Sequence, residues 1–154
     1  MLTTILLLSN FETWGYSGLF IASFLAATVV PFSSEAILAA MLLGDYNAPA
    51  CVLIASTGNW LGGMSGYLLG YLGKWEWLEK YFKIDKPKLD KWKSRLNKYG
   101  YYLAFLCWLP SVGDFIAVGL GFMRSNVYLV SIIMFAGKFL RYAVIAYLIS
   151  IGSF

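Results

Sequence analysis

Four charged residues stand where this chain can least tolerate charge: Glu35, Asp114, Lys138 and Arg141. Each lies inside a long apolar run, and an unpartnered charge in hydrocarbon costs several kcal/mol. Two acids therefore face two bases. Lys138 and Arg141 are three residues apart and share a helical face, so together they could hold a phosphate, for which a guanidinium is the better fork. Salt bridging between the segments that carry them is the structural alternative. Glu35 and Asp114 each follow a proline, Pro31 and Pro110, by four positions, which places each near a helix N-terminus where the dipole favours an anion. There they could cap free amides. They could also respond to protons, because desolvation favours the neutral carboxyl while the dipole and nearby cations oppose it. The sequence leaves these uses open.

The surroundings of these residues are those of a membrane protein. Of 154 residues, 60% are hydrophobic and 13% charged, against roughly half and about a quarter in soluble domains. Most charges fall in one block, Lys74 to Lys98, with nine basic and four acidic residues. A water-soluble surface cannot be built from the remainder. There is no histidine, and Cys51 and Cys107 both lie in apolar runs, so no metal site, cofactor or disulfide framework is expected. No nucleophile-plus-base arrangement can be read, so the chain is not expected to be an enzyme. Met1 to Asn10 lacks a basic n-region and its apolar stretch is short, so these residues are expected to stay in the mature protein. The net charge of +4 is concentrated in one membrane-flanking segment, which points to anionic lipid head groups and away from nucleic acid.

The chain is read as a single membrane domain, 1–154. Gly15 to Leu43 would span about 43 Å as one helix against a hydrocarbon core of about 30 Å, and Pro31 interrupts it. Two half-helices in a re-entrant hairpin fit better. Tyr46 to Gly73 is uncharged and reads as a transmembrane helix, with Gly58, Gly62, Gly66 and Gly70 forming a stripe on one face. The stripe predicts tight packing inside the monomer, with a homodimer seam or lipid-facing groove as alternatives. In the polar block, Asp85-Lys86-Pro87 reads as a helix start. An amphipathic helix beyond it would lie in the cytoplasmic interface, with Trp75, Trp77 and Trp92 at head-group depth. Tyr99 to Met123 is again apolar, broken by Pro110, and about Asn126 to Ile151 reads as the final span. Lys138 and Arg141 fall about 18 Å and 22 Å along it.

A shift of 79 residues aligns Pro31-Phe-Ser-Ser-Glu35 with Pro110-Ser-Val-Gly-Asp114. It also sets Asn47 on Asn126, Gly58 on Gly137, Asn59 on Lys138 and Gly73 on Gly152. Asn59 thereby becomes the polar companion of Lys138. The reading is an all-α integral membrane protein of two inverted repeats, about 15–73 and 99–152. Each repeat is a proline-broken re-entrant hairpin plus one transmembrane helix, and the basic linker 74–98 joins them. Fully spanning hairpins, giving four helices and parallel repeats, are the alternative.

The chain resembles the DedA or SNARE-associated (VTT-domain) membrane proteins, and most of all their small bacterial YqaA-type members. The resemblance rests on Pro31-Phe-Ser-Ser-Glu35, the run from Gly58 to Gly70, Trp108-Leu-Pro-Ser-Val-Gly-Asp114 and Gly137-Lys-Phe-Leu-Arg-Tyr142. It implies two inverted re-entrant hairpins and a bacterial inner-membrane location. It further implies a flippase or scramblase role in moving phospholipids or polyprenyl phosphate carriers, with proton coupling. Glu35 matches the first-hairpin acid of that pattern. Larger members usually carry arginines around the second-hairpin proline, where this chain has Cys107 and Gly113. A proton- or ion-coupled transporter of a small solute and a non-transporting membrane scaffold remain as other function classes.

Overall fold

The computed structural model describes residues 15–28, 33–73, 94, 98–100, 102–109 and 112–152. Pro31 and Pro110 lie outside these residues, as does the expected amphipathic helix beyond Asp85 apart from Ser94, Lys98 and Tyr99. No strand occurs among the described residues. Among the described residues the helices with defined bounds are α1 (Gly15–Ala26), α2 (Ser34–Leu43), α3 (Ala48–Leu72), α4 (Val112–Phe122) and α5 (Val127–Gly152), with a 3-10 turn, Leu106–Trp108, ahead of α4; residues 98–100 and 102–105 are also helical.

α5 is long and apolar enough to cross a bilayer, and α3 has 25 residues without a charge. At 1.5 Å per residue each reaches about 37–39 Å. The other three helices are much shorter. They extend about 15–18 Å, roughly half the hydrocarbon thickness.

Both long helices start with the same device. The Asn47 side-chain carbonyl accepts the Ala50 N–H at 2.9 Å, and that of Asn126 accepts the N–H groups of Tyr128 and Leu129 at 3.0 and 3.3 Å. These caps supply acceptors for amides that the helix itself leaves unsatisfied. Because the asparagines are caps, α3 and α5 begin one or two residues later than the apolar runs suggest. The preceding helices end alike. Tyr46 N–H donates to Met41 O at 3.2 Å, Ser125 N–H to Leu120 O at 3.1 Å, and the residues just before them, Asp45 and Arg124, have φ of 62° and 54°. This is a Schellman-type helix ending with a left-handed residue at its turn.

The described chain forms two compact units. One comprises Met1–Gly62 with Lys138–Phe154, the other Gly63–Gly137. In the first, the core gathers Leu19, Leu38, Met41, Cys51, Ala55 and Tyr142. The start of α3 at Ala48 and Pro49 lines one cleft with Ala146 and Ser150 near the end of α5. These stretches of the two helices therefore run antiparallel. A Cβ at Gly58 would fall on the Phe20 carbonyl and one at Gly62 on the Phe24 carbonyl, so α1 packs backbone to backbone on α3. The start of α1 abuts the α2–α3 turn, where the Tyr16 and Tyr46 rings meet edge to face at 5.4 Å.

The second unit repeats this economy with different partners. A Cβ at Gly70 would fall on the Val118 carbonyl, and one at Gly121 on the Tyr67 carbonyl. Tyr67 hydroxyl donates to the Ser125 carbonyl, and a Cβ at Gly100 would come within 3.8 Å of Ser125 Oγ. Three of the four stripe glycines, Gly58, Gly62 and Gly70, lie against neighbouring backbone of their own chain, while Gly66 meets the Val118 side chain. The stripe is therefore occupied by packing inside the chain, as close backbone approach between membrane helices requires.

Candidate functional site

The first turn of α2 and the middle of α5 bring three of the four charges into one unit. Ser33 is the N-cap of α2, its hydroxyl accepting the Ala36 N–H at 3.3 Å, with Glu35 in the first turn. The capping role considered for Glu35 thus belongs to Ser33, and the carboxylate is left to meet side chains. Glu35 Oε1 lies 3.3 Å from Arg141 Nη2, with the arginine side chain about a tenth exposed and the glutamate less than a third. Ser33 Oγ approaches the other carboxylate oxygen at 3.4 Å.

Tyr142 organises the other side of the arginine. Its ring centroid lies 4.9 Å from the Arg141 guanidinium carbon, and Nη2 donates to its hydroxyl at 3.2 Å. That hydroxyl also pairs with Ser34 Oγ at 2.6 Å. Tyr142 and Ser34 are both fully buried, so the bond ties α5 to α2 in a dry setting, where leaving either hydroxyl unmatched costs about 1–3 kcal/mol.

Lys138 stands almost one turn earlier on α5. Its ammonium donates to the Asn59 side-chain oxygen at 2.6 Å and to the Asn59 main-chain carbonyl at 2.9 Å. Asn59 Nδ2 in turn donates to the Ser23 carbonyl at 3.0 Å. Both side chains are buried, and the chain of bonds links α5, α3 and α1.

Asp114 belongs to the other unit, in the first turn of α4. No group of three or more metal-ligating side chains occurs among the described residues. Tyr142 and Ser34 were not singled out from the sequence. The signal was present in their positions, each a hydroxyl adjacent to a membrane charge, but only the register of α2 against α5 pairs them.

Three short apolar helices, two long helices and a buried polar cluster among the described residues fit an all-helical integral membrane protein. The chain is 36% identical over 140 residues to Inner membrane protein YqaA of Escherichia coli (strain K12), covering 88% of this chain and 91% of that protein. The protein of the same name from Shigella flexneri matches to the same extent, and a Haemophilus influenzae protein is 35% identical over 139 residues, 84% of each chain. No family model matches, and no solved structure matches. The chain belongs to the YqaA-type inner membrane proteins of the DedA family, and its location is the bacterial inner membrane.

Proposed function

We propose that this protein moves a lipid with a phosphate-bearing head group, a phospholipid or a polyprenyl phosphate, across the inner membrane. The observation that carries the reading is the ion pair between the partly exposed Glu35 carboxylate and the Arg141 guanidinium. A carboxylate held this way is a stand-in for the phosphate, which would engage the guanidinium through two oxygens. Protonation of Glu35 removes the competitor, so proton uptake favours head-group binding. Lys138 adds a second positive charge beside the site, and Tyr142 keeps the guanidinium plane oriented. No covalent chemistry is involved. An apolar cleft of about 420 Å³ between α3 and α5, lined by Val52, Leu53, Phe139 and Ala143, offers room for hydrocarbon. That favours a lipid over a small polar solute.

The architecture in this reading is a pair of inverted re-entrant repeats. Four observations support it. Asn59 and Lys138, 79 residues apart, touch each other at an antiparallel crossing of α3 and α5, as residues on a local two-fold axis do. The two helix endings and the two asparagine caps repeat at that same spacing. Within each unit the hairpin starts and finishes at one place, Gly15 beside Tyr46 and Gly100 beside Ser125. The hairpin helices with described bounds, α1, α2 and α4, are too short to cross the hydrocarbon. Finally, the equivalent turns carry opposite charges, Asp45 and Arg124, with the cation on the turn that adjoins the end of α3 and the start of the basic segment. The positive-inside tendency sorts them the same way.

The test reconstitutes purified protein in liposomes and follows head-group-labelled lipid between leaflets, with and without a pH gradient. The proposal expects lipid movement that the gradient modulates. It also expects Glu35→Gln to remove the pH dependence while the protein stays folded and inserted. Absence of lipid movement, with labelled small solutes transported instead, would replace the reading with solute transport. Absence of both would leave a scaffold.

A further inference from the structure

The end of α4 holds an arginine in a conformation that its residue type does not favour. Arg124 occupies the left-handed position of the helix ending, at φ 54°, where glycine or asparagine is the usual occupant. The equivalent residue in the first repeat is Asp45, at φ 62°, whose short polar side chain tolerates this region better than a long one. The turn backbone itself favours no arginine. Strained backbone retained in this way points to a use for the side chain.

The side chain is displayed for contact. Arg124 is exposed, and its guanidinium carbon lies 5.3 Å from the centroid of the Tyr71 ring, itself 43% exposed. Tyr67 stacks on Tyr71, ring centroids 6.4 Å apart and planes 22° from parallel, and its hydroxyl donates to the Ser125 carbonyl. A guanidinium laid on an aromatic face keeps its edge donors for an oxyanion. The described residues that flank the basic segment adjoin the same turn. A Cβ at Gly73 would sit 3.2 Å from Phe122, and one at Gly100 3.8 Å from Ser125 Oγ. Gly73 and Gly100, which flank in sequence the stretch with nine basic residues, therefore both lie beside residues of the α4–α5 turn.

We propose that the α4–α5 turn carries a binding site for the phosphate of an anionic lipid head group, with Arg124 as donor and Tyr71 as its platform. The occupant is a lipid because the turn closes a hairpin of a membrane-embedded unit, at the level where tyrosine rings and basic side chains meet head groups. The site is separate from Glu35 and Arg141, and it requires no transport.

The experiment titrates the full-length protein in detergent with short-chain phosphatidylglycerol, phosphatidylcholine or inorganic phosphate, counting bound lipid by native mass spectrometry. Thermal unfolding is recorded in parallel without lipid. Arg124→Gly is expected to weaken phosphatidylglycerol binding about five-fold and leave phosphatidylcholine unchanged, with a melting temperature equal to or above that of the parent. That combination separates binding from structure, because glycine relieves the left-handed strain. Arg124→Asn, which also tolerates the turn, should reproduce the loss if the glycine variant does not fold, and Tyr71→Leu should weaken binding by a smaller factor. Unchanged phosphatidylglycerol affinity in the Arg124 variants would overturn the proposal, as would equal loss of both lipids with a lowered melting temperature. Displacement of phosphatidylglycerol by inorganic phosphate at similar concentration would overturn the lipid assignment in favour of a soluble anion.

Discussion

Position for position, α3 and α5 start from one plan and diverge at one patch. Where α3 has Gly62 and Gly63, α5 has Arg141 and Tyr142, and where α3 has Asn59, α5 has Lys138. The burial pattern around them is shared: Cys51 and Val130, Ala55 and Met134, Gly58 and Gly137 are all buried. The hairpins diverge in the complementary sense. Ser34 on α2 stands where α4 has Gly113, and Glu35 where α4 has Asp114. Hydroxyl and acid on α2 meet arginine and tyrosine on α5, whereas Gly62 on α3 admits the Phe24 carbonyl and Gly113 on α4 admits that of Cys107. One backbone recipe thus serves two purposes. Bare helix surface gives close packing, and the same positions filled with polar side chains give a site.

The largest expected effect comes from breaking the contact shared by equivalent residues. Lys138→Met leaves the two oxygens of Asn59 without their buried donor and should cost about 2–3 kcal/mol, since bonds to charged groups are the stronger ones, read as a lowered unfolding midpoint in detergent. Combining Asn59→Lys with Lys138→Asn exchanges the partners. If the residues lie on a local two-fold axis, the exchanged pair should recover at least half of that loss. No recovery would argue against the symmetry.

Gly62→Ala and Gly18→Ala make the same chemical change on two helices that face each other. The first places a methyl on the Phe24 carbonyl and the second meets nothing within 4 Å. Overpacking predicts a loss of about 2 kcal/mol for Gly62→Ala. Helix propensity predicts a neutral effect or a gain of up to about 1 kcal/mol for Gly18→Ala. Equal effects in thermal unfolding would remove the distinction between bare and filled surface.

Tyr142→Phe is the mildest of these changes. It deletes the hydroxyl between Ser34 and Arg141 and should cost about 1 kcal/mol. In the lipid assay it sharpens the site: the stacked ring remains beneath the guanidinium, so head-group movement should fall by less than in Arg141→Lys, which keeps the charge but loses the fork.

The membrane class and the helical elements were legible because composition and hydropathy are carried by whole segments. Glu35, Lys138 and Arg141 were visible as charges in apolar runs, which need partners wherever they fall. Their pairing was not. A helix shows its neighbours at three and four positions, but no local rule says that residue 35 will face residue 141 or that Asn59 will receive the lysine ammonium. Which residue caps α2 was left open for a similar reason. Ser33 and Glu35 both suit the start of α2, and the path of the chain into the helix decides between them. Asp45 and Arg124 passed unnoticed because nothing in side-chain chemistry marks a left-handed backbone at an arginine.

The central claim is that the two halves are inverted copies, so the most direct measurement asks on which side of the membrane their equivalent turns lie. Asp45→Cys and Arg124→Cys can be labelled separately in intact and opened cells with a membrane-impermeant maleimide, the native Cys51 and Cys107 being buried. Position 45 is expected to react from the periplasm in intact cells, while position 124 is expected to react only after the cytoplasmic face is opened. Labelling of both turns from the same side would contradict that claim.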